Sequence, residues 1–262
     1  MTDPDELARR AAETGGEHAL SLFRTDLAVE TKTGKTDVVT RADREAQRAV
    51  LDVLDDADPD TAIVAEEEDE RETVPAAGRA WVIDPIDGTH NYVRGGRCWT
   101  TSVAFVRDGD PVAAANVLPA LDDSYRTVDG EVRRNGERID TSDRSDPERC
   151  VVCPTIWWPM DRRDEYARAT RAVVERFGDL KRPGSAQAAL ARLAAGELDG
   201  VITNVATNPW DTVAGVHLVR AAGGRVTDLS GNHWTHDARG LVASNGQIHD
   251  SVLAAARDID AD

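Results

Sequence analysis

WVIDPIDGTHNYVRG, residues 81–95, runs an apolar strand into an aspartate, adds a proline, sets a second aspartate three residues on and turns through Gly-Thr. Asp84 directly follows Trp81-Val82-Ile83 and is expected to emerge at the end of a buried strand. Pro85 has no N–H and is expected to stop the sheet ladder there. Gly88 permits a tight turn, and the Gly88 and Thr89 amides at the start of a short helix make an anion site suited to phosphate. Two carboxylates beside an anion site make physical sense only if cations lie between them. All-oxygen ligation selects a hard ion such as Mg²⁺ or Mn²⁺. Two such ions ~3.5–4 Å apart can polarise a phosphoryl oxygen, activate a water and stabilise a leaving oxygen.

The rest of the chain sets limits on this reading. Its 262 residues allow one large domain or two small ones. No apolar run is long enough to span a membrane, and the acidic N-terminus lacks the basic start of a signal peptide, so a cytoplasmic protein is expected. A formal charge of −17 excludes nucleic acid and anionic membrane as natural partners. Lys32, Lys35 and Lys181 are the only lysines, and Asp outnumbers Glu by 32 to 16. Short, strongly hydrated carboxylates with few lysines fit a surface adapted to high salt, where self-repulsion is screened. Three cysteines cannot build a disulfide framework. Cys150 and Cys153 have redox or zinc spacing, but in an apolar β-branched run they point to opposite faces, and they are read as structural.

Helical periodicity covers residues 3–28, and a polar loop, TKTGKTDVVTRADREAQ, leads into a second helix with Asp43 at its N-cap. TAIVA, RAWVIDP, 99–106 and 111–118 read as strands, with turns at RDGD, Asp129-Gly130 and Asn135-Gly136. After about residue 150, strands and helices alternate: strands at 150–153, near 180, 198–203 and 240–244; helices at 162–177, 185–195, 211–222 and 246–257. Residues 1–145 are thus expected to form an α+β subdomain with a mostly antiparallel sheet, and 146–262 an α/β subdomain.

Acidic groups recur at element ends: Asp37 and Asp43 in TDVVTRAD, Glu66 and Glu67 in VAEEE, Asp84 and Asp87 in IDPIDGT, and Asp211 in NPWDTVAG. Haloacid-dehalogenase phosphatases carry Asp-x-Asp-Gly-Thr with a nucleophilic first Asp. The extra residue here reverses the face that the first Asp presents on an extended strand, which favours an attacking water. With KTGKTDVVTRAD, AEEE, WVIDPIDGTHNYVRG, GSAQAALARLAAGELDG and NPWDTVAGVHLVRAAGG in this order, the chain resembles the inositol monophosphatase family of metal-dependent, lithium-sensitive phosphatases. That family includes archaeal fructose-1,6-bisphosphatases and 3′-phosphoadenosine phosphatases.

The resemblance implies a layered αβαβα sandwich, usually a homodimer, with its site between the subdomains. It implies that Glu66, Asp84 and the Ile86 carbonyl hold one Mg²⁺, that Asp84, Asp87 and Asp211 hold a second, and that a weaker third ion leans on Glu66 with Glu67 nearby. Thr89, bonded to Asp43, would orient and deprotonate the attacking water. The Gly88 and Thr89 amides would grip phosphate, and Lys32 would reach the phosphate or the third metal from a loop supported by Asp37. Gly184, Ser185 and Ala186 match the segment that touches the alcohol portion of the substrate. Inositol-specific members commonly carry an acid where this chain has Asn204, so the charge-assisted bond to a substrate hydroxyl is missing here.

Ala65 and Tyr92 also depart from the usual residues. His90, where Thr or Ser is usual, is read as a packed loop residue or a contact to phosphate. Trp157-Trp158 lines a substrate rim or a dimer face. His233 and His236 lie in a turn and His217 on a helix; none is read as a metal ligand.

The function expected is an Mg²⁺-dependent phosphomonoesterase in carbohydrate metabolism, acting on inositol-1-phosphate or fructose-1,6-bisphosphate. A phosphoadenosine phosphate phosphatase and a non-catalytic metal-binding relative are the alternatives. The charge pattern makes a separate prediction: the midpoint of a thermal melt rises between low salt and molar KCl. An unchanged midpoint would remove the halophilic reading.

Overall fold

The computed structural model describes residues 3–25, 29–31, 38–67 and 70–260. From the N-terminus come α1 (Pro4–Leu22), a short hairpin of β1 (Val29–Thr31) and β2 (Val38–Thr40), α2 (Arg41–Ala57), β3 (Ala62–Ala65), β4 (Arg79–Asp87) and α3 (Thr89–Val93). Next are β5 (Thr100–Arg107), β6 (Asp110–Leu118), β7 (Asp123–Val128), β8 (Glu131–Arg134) and β9 (Glu137–Ile139). The second half holds β10 (Val151–Pro154), α4 (Arg163–Val174), β11 (Asp179–Leu180), α5 (Ala186–Ala194), β12 (Gly200–Ala206), α6 (Pro209–Ala221), β13 (Arg225–Thr227), β14 (Arg239–Ser244) and α7 (His249–Arg257).

β3 to β9 form one seven-stranded sheet in chain order. β3 and β4 are parallel and every later pair is antiparallel. The hairpin loops Asp108-Gly109, Asp129-Gly130 and Asn135-Gly136 all have positive φ. That matches the twist of two-residue hairpins and explains why these residue types stand there. The second sheet has the order β11-β10-β12-β14-β13; β10 lies parallel to β11 and β12, while β14 runs antiparallel to β12 and β13.

Strand alternation builds the layers. On β4, Trp81 and Ile83 face α1 and α2, in a core with Leu7, Ala11, Val50, Leu54 and Phe105. Ala80 and Val82 face the opposite way, into a core that also takes Leu190 and Leu193 of α5, Val213 and Val216 of α6, and Val201 and Leu241 of the second sheet. Val152, Ile202 and Val242 cover the far face of that sheet with α4 and α7. The result is the αβαβα sandwich, and its middle core belongs to both halves of the chain. Cys150 and Cys153 are free and fall in different cores, as i and i+3 on a strand should.

Several boundaries differ from the sequence reading. α1 ends at Leu22 because Phe23 is extended. α2 begins at Arg41 with Thr40 as N-cap; Asp43 is N3 of a capping box, in which the Thr40 side chain and the Asp43 carboxylate cap each other's backbone. Part of the expected polar loop pairs as β1 with β2. Among the described residues no helix is long and apolar enough to cross a membrane.

The middle layer sets a close approach. A Cβ on Gly215 of α6 would lie 2.5 Å from Leu190 Cβ and 2.8 Å from Gln187 Oε1. Gly215→Ala is therefore expected to lower stability by roughly 1–3 kcal/mol, read as a shift in the urea midpoint at unchanged slope. A neutral or stabilising effect would mean that α5 and α6 can separate freely.

Candidate active site

The register of β4 against β5 slips where the motif begins. Asp84 pairs with Ser102 but Asp87 pairs with Thr100, so β4 carries one extra residue there. This is a β-bulge. On a regular strand, residues i and i+3 face opposite ways; the extra residue returns both aspartates to one side. Pro85 thus does not end the strand, as the sequence reading expects, but sits inside the bulge, where a missing N–H is tolerated. The Thr101 hydroxyl donates to the Pro85 carbonyl at 2.8 Å and holds the bulge in place.

Asp211 joins them from α6. It is N3 of a capping box, with one oxygen accepting the Asn208 N–H at 3.2 Å. One oxygen each of Asp84, Asp87 and Asp211 lie within 4.8 Å of one another. Asp87 is held at the N-terminus of α5: its Oδ2 accepts from the Ser185 hydroxyl at 2.5 Å and the Gln187 N–H at 2.6 Å. Asp84 is 1 % exposed, and its Oδ1 is buried with no hydrogen-bond partner.

Such crowding has an electrostatic consequence. Burial, then Glu66, Asp87 and Asp211, push the Asp84 carboxyl well above the usual range. Burial raises Asp87 to about 6 against the opposing bonds from Ser185, Gln187 and Ala186. Carboxylates kept this close, one with an orphaned oxygen, fit a hard divalent cation that would accept those oxygens and offset their repulsion. The donor set contains no nitrogen or sulfur, which suits a hard cation.

A second polar group follows directly on the bulge. Gly88 takes the left-handed conformation, φ 98°, ahead of α3. A Cβ there would sit 3.2 Å from the carbonyl oxygens of Cys98 and Gly184. The Thr89 hydroxyl lies 3.2 Å from Asp43 Oδ1 and 3.0 Å from the Ile86 carbonyl oxygen. The other oxygen of Asp43 accepts the Thr40 N–H and hydroxyl. Burial also raises the Asp43 carboxyl, though the bonds from Thr40 and Thr89 oppose it.

The remaining candidates fall into place unevenly. Glu66 is near enough to perturb Asp84, yet neither it nor Glu67 belongs to the mutually close trio. Glu67 is buried, and Gln47 of α2 clamps its backbone by two bonds. Ser185 and Ala186 are buried at the start of α5, and the Ser185 hydroxyl meets Asp87 and caps Ala188 rather than opening to a substrate. Gly184 packs on Gly88. Asn204 is fully buried: its oxygen accepts from Trp158 Nε1 and its amide hydrogens go to Glu165 and Asp260. Both donors expected for a substrate hydroxyl are taken. Lys32 and Asp37 lie outside the described residues.

Gln187 is absent from the sequence reading and is central to the site. Its N–H holds Asp87, its Nε2 donates to the Trp210 carbonyl, and its Oε1 accepts from Gly215 and Asn116. One side chain therefore ties the helix that caps Asp87 to the helix that carries Asp211.

The chain matches the profile described as "Inositol monophosphatase family" over residues 2–261. It is 36% identical over 236 residues to the fructose-1,6-bisphosphatase/inositol-1-monophosphatase of Thermotoga maritima, covering 88% of this chain and 87% of that one. It is 31% identical over 258 residues to Nus factor SuhB of Escherichia coli, covering 96% and 95%. The solved Thermotoga maritima IMPase superposes with a TM-score of 0.87 at 33% identity, covering 97% of this chain and 96% of that one.

The crowding can be measured without turnover. In divalent-free buffer, Asp84 and Asp87 bind protons more tightly folded than unfolded, so wild-type stability falls as pH rises from about 4 through 6. Asp84→Asn is expected to melt close to wild type near pH 4 and above it at pH 7.5, by roughly 1–3 kcal/mol. Adding Mg²⁺ should reverse the order. A less stable variant at neutral pH without divalent ions would show that the carboxylates do not repel.

Proposed function

The chain belongs to the inositol monophosphatase family, and from that premise we propose that it is a phosphatase hydrolysing phosphate monoesters of small sugars or polyols with divalent cations. Inositol-1-phosphate and fructose-1,6-bisphosphate are the substrates to separate, Mg²⁺ is the proposed ion, and a homodimer is proposed with them. The observation that carries this reading is the convergence of Asp84, Asp87 and Asp211 beside the Thr89–Asp43 pair.

Asp84, Asp87, Asp211, Glu66 and the Ile86 carbonyl are the groups proposed to hold the cations. When bound, these supply charge neutralisation and Lewis-acid polarisation of phosphoryl and water oxygens. The rest is done by the chain. Thr89, donating to Asp43, keeps lone pairs of its hydroxyl oxygen free to orient a water and receive its proton. Asp43 has its carboxyl raised by burial, which suits it to take a proton passed on by Thr89. The Gly88 turn leaves backbone amides, not side chains, facing the phosphoryl group; Gly184 and Cys98 close the space behind it. The water oxygen bonds to phosphorus, the ester P–O bond breaks, and the alcohol oxygen leaves with the bonding pair and gains a proton. No phosphorylated aspartate is involved: Asp84 and Asp87 are proposed as ligands.

Phosphate release with Mg²⁺ from both substrates tests the reading. Thr89→Ala is expected to lower kcat by about 10²–10⁴-fold, and Asp211→Asn to raise the Mg²⁺ concentration needed for half activity. Wild-type turnover in either variant would overturn the assignment.

A further inference from the structure

His90, the residue after Thr89, packs on a cationic shelf built by another part of the chain. Trp157 is 40% exposed and stacks on His90, with ring centroids 5.5 Å apart and planes 12° from parallel. The Arg163 guanidinium lies 4.4 Å from the Trp157 ring centroid and that of Arg182 lies 5.6 Å from it. Tyr166 lies within 5.9 Å of both and stacks in turn on Trp158. Cation–π contact orients both guanidinium groups but uses none of their in-plane donors.

Those donors are largely unspent. Nε of both arginines is buried without a hydrogen-bond partner. Arg182 makes one bond, to the Ile156 carbonyl at 3.1 Å. Among the described residues the Arg163 side chain has no hydrogen bond, and neither arginine is in an ion pair, in a chain whose acids exceed its bases by 17. The nearby Glu165 is held by Arg162 and Asn204, which keep its carboxyl down at about 2. Two unpaired cations over one ring repel unless an anion sits between them. A planar guanidinium fork is the donor that best matches phosphate oxygens.

The shelf is fixed relative to the reacting centre. Asn91 of α3 donates to the Pro183 carbonyl at 2.8 Å, which anchors the residue after Arg182 to the helix that begins at Thr89. Ile156 takes a left-handed φ of 62°, a costly conformation for a β-branched residue, at the turn that presents Trp157. Asn204, fully engaged beneath Trp158, offers no hydrogen to a polyol hydroxyl, so the recognition of the alcohol portion has to come from elsewhere.

We propose that Arg163 and Arg182, braced over Trp157, form a second anion subsite for the far phosphoryl group of a bisphosphorylated sugar, which makes such a compound preferred over a neutral polyol monophosphate. The subsite rests on the phosphatase reading above and specifies its substrate class.

Steady-state kinetics with fructose-1,6-bisphosphate and inositol-1-phosphate test it, in wild type, Arg163→Gln, Arg182→Gln and Arg182→Lys. Wild type is expected to have the higher kcat/KM on the bisphosphate. Each Gln variant should cut the ratio of the two kcat/KM values by roughly tenfold or more, through KM for the bisphosphate. Arg182→Lys, which keeps the charge without the fork, should fall in between. The Arg163 side chain makes no hydrogen bond or ion pair among the described residues and loses only its stacking on Trp157 and Tyr166, so Arg163→Gln is expected to stay folded and keeps the test open if Arg182 variants unfold. Equal losses on both substrates, or an unchanged ratio, overturn the subsite while leaving the phosphatase intact. Absence of Mg²⁺-dependent hydrolysis of either ester by wild type overturns the phosphatase reading and the subsite with it.

Discussion

Three carboxylates forced within 4.8 Å of one another, two of them buried and the third half-buried, are the constraint on which the rest of this structure depends. Left alone they repel, and Asp84 and Asp87 hold protons more readily than free carboxyls. The fold accepts that cost by giving most of the site's aspartates a second task. One oxygen of Asp87 is bound by the first turn of α5, one of Asp211 caps α6, and one of Asp43 caps α2. In Asp43 the other oxygen faces Thr89. Asp84 differs: it carries the buried oxygen without a partner, at the centre of the cluster.

Helix placement follows from the same constraint. α5 and α6 fill the middle layer between the two sheets and start at the cluster, so the packing that builds the central core also fixes the ligands. Gln187 joins the two helices by donating to the Trp210 carbonyl and accepting from the Gly215 N–H, at the level where Gly215 lets them approach, and its other two bonds reach Asp87 and Asn116 of the first sheet. Gln47 does the same for the segment with Glu66 and Glu67. Buried amides with every group engaged fix one geometry and are costly to disturb.

Much of this was legible in the residues. Alternation along 80–83 and 103–106 gives both faces of the first sheet, and the Asp-Gly and Asn-Gly pairs give its hairpins. Asp84, Asp87 and Asp211 come together, with Glu66 and Asp43 near enough to act on Asp84, because strand ends and helix starts collect at one edge of a layered α/β fold. The bulge was not legible: whether Pro85 ends a strand or bends it depends on Thr101 of the next strand. The two capping boxes were present as Thr40-x-x-Asp43 and Asn208-x-x-Asp211, and reading them would have corrected the starts of α2 and α6. Gln187 and Gln47 had no signal, since a glutamine in a helix usually faces solvent. Asn204 was expected to face a substrate, but its partners Trp158, Glu165 and Asp260 come from distant parts of the chain.

The central claim is that cations, not protons, settle the charge on Asp84. Anomalous diffraction from crystals grown with Mn²⁺ addresses it directly. Peaks are expected within coordination distance of Asp84, shared with Asp87 and Asp211, with the buried oxygen of Asp84 bonded to metal. Fully occupied Mn²⁺ elsewhere with no peak at Asp84 would contradict it.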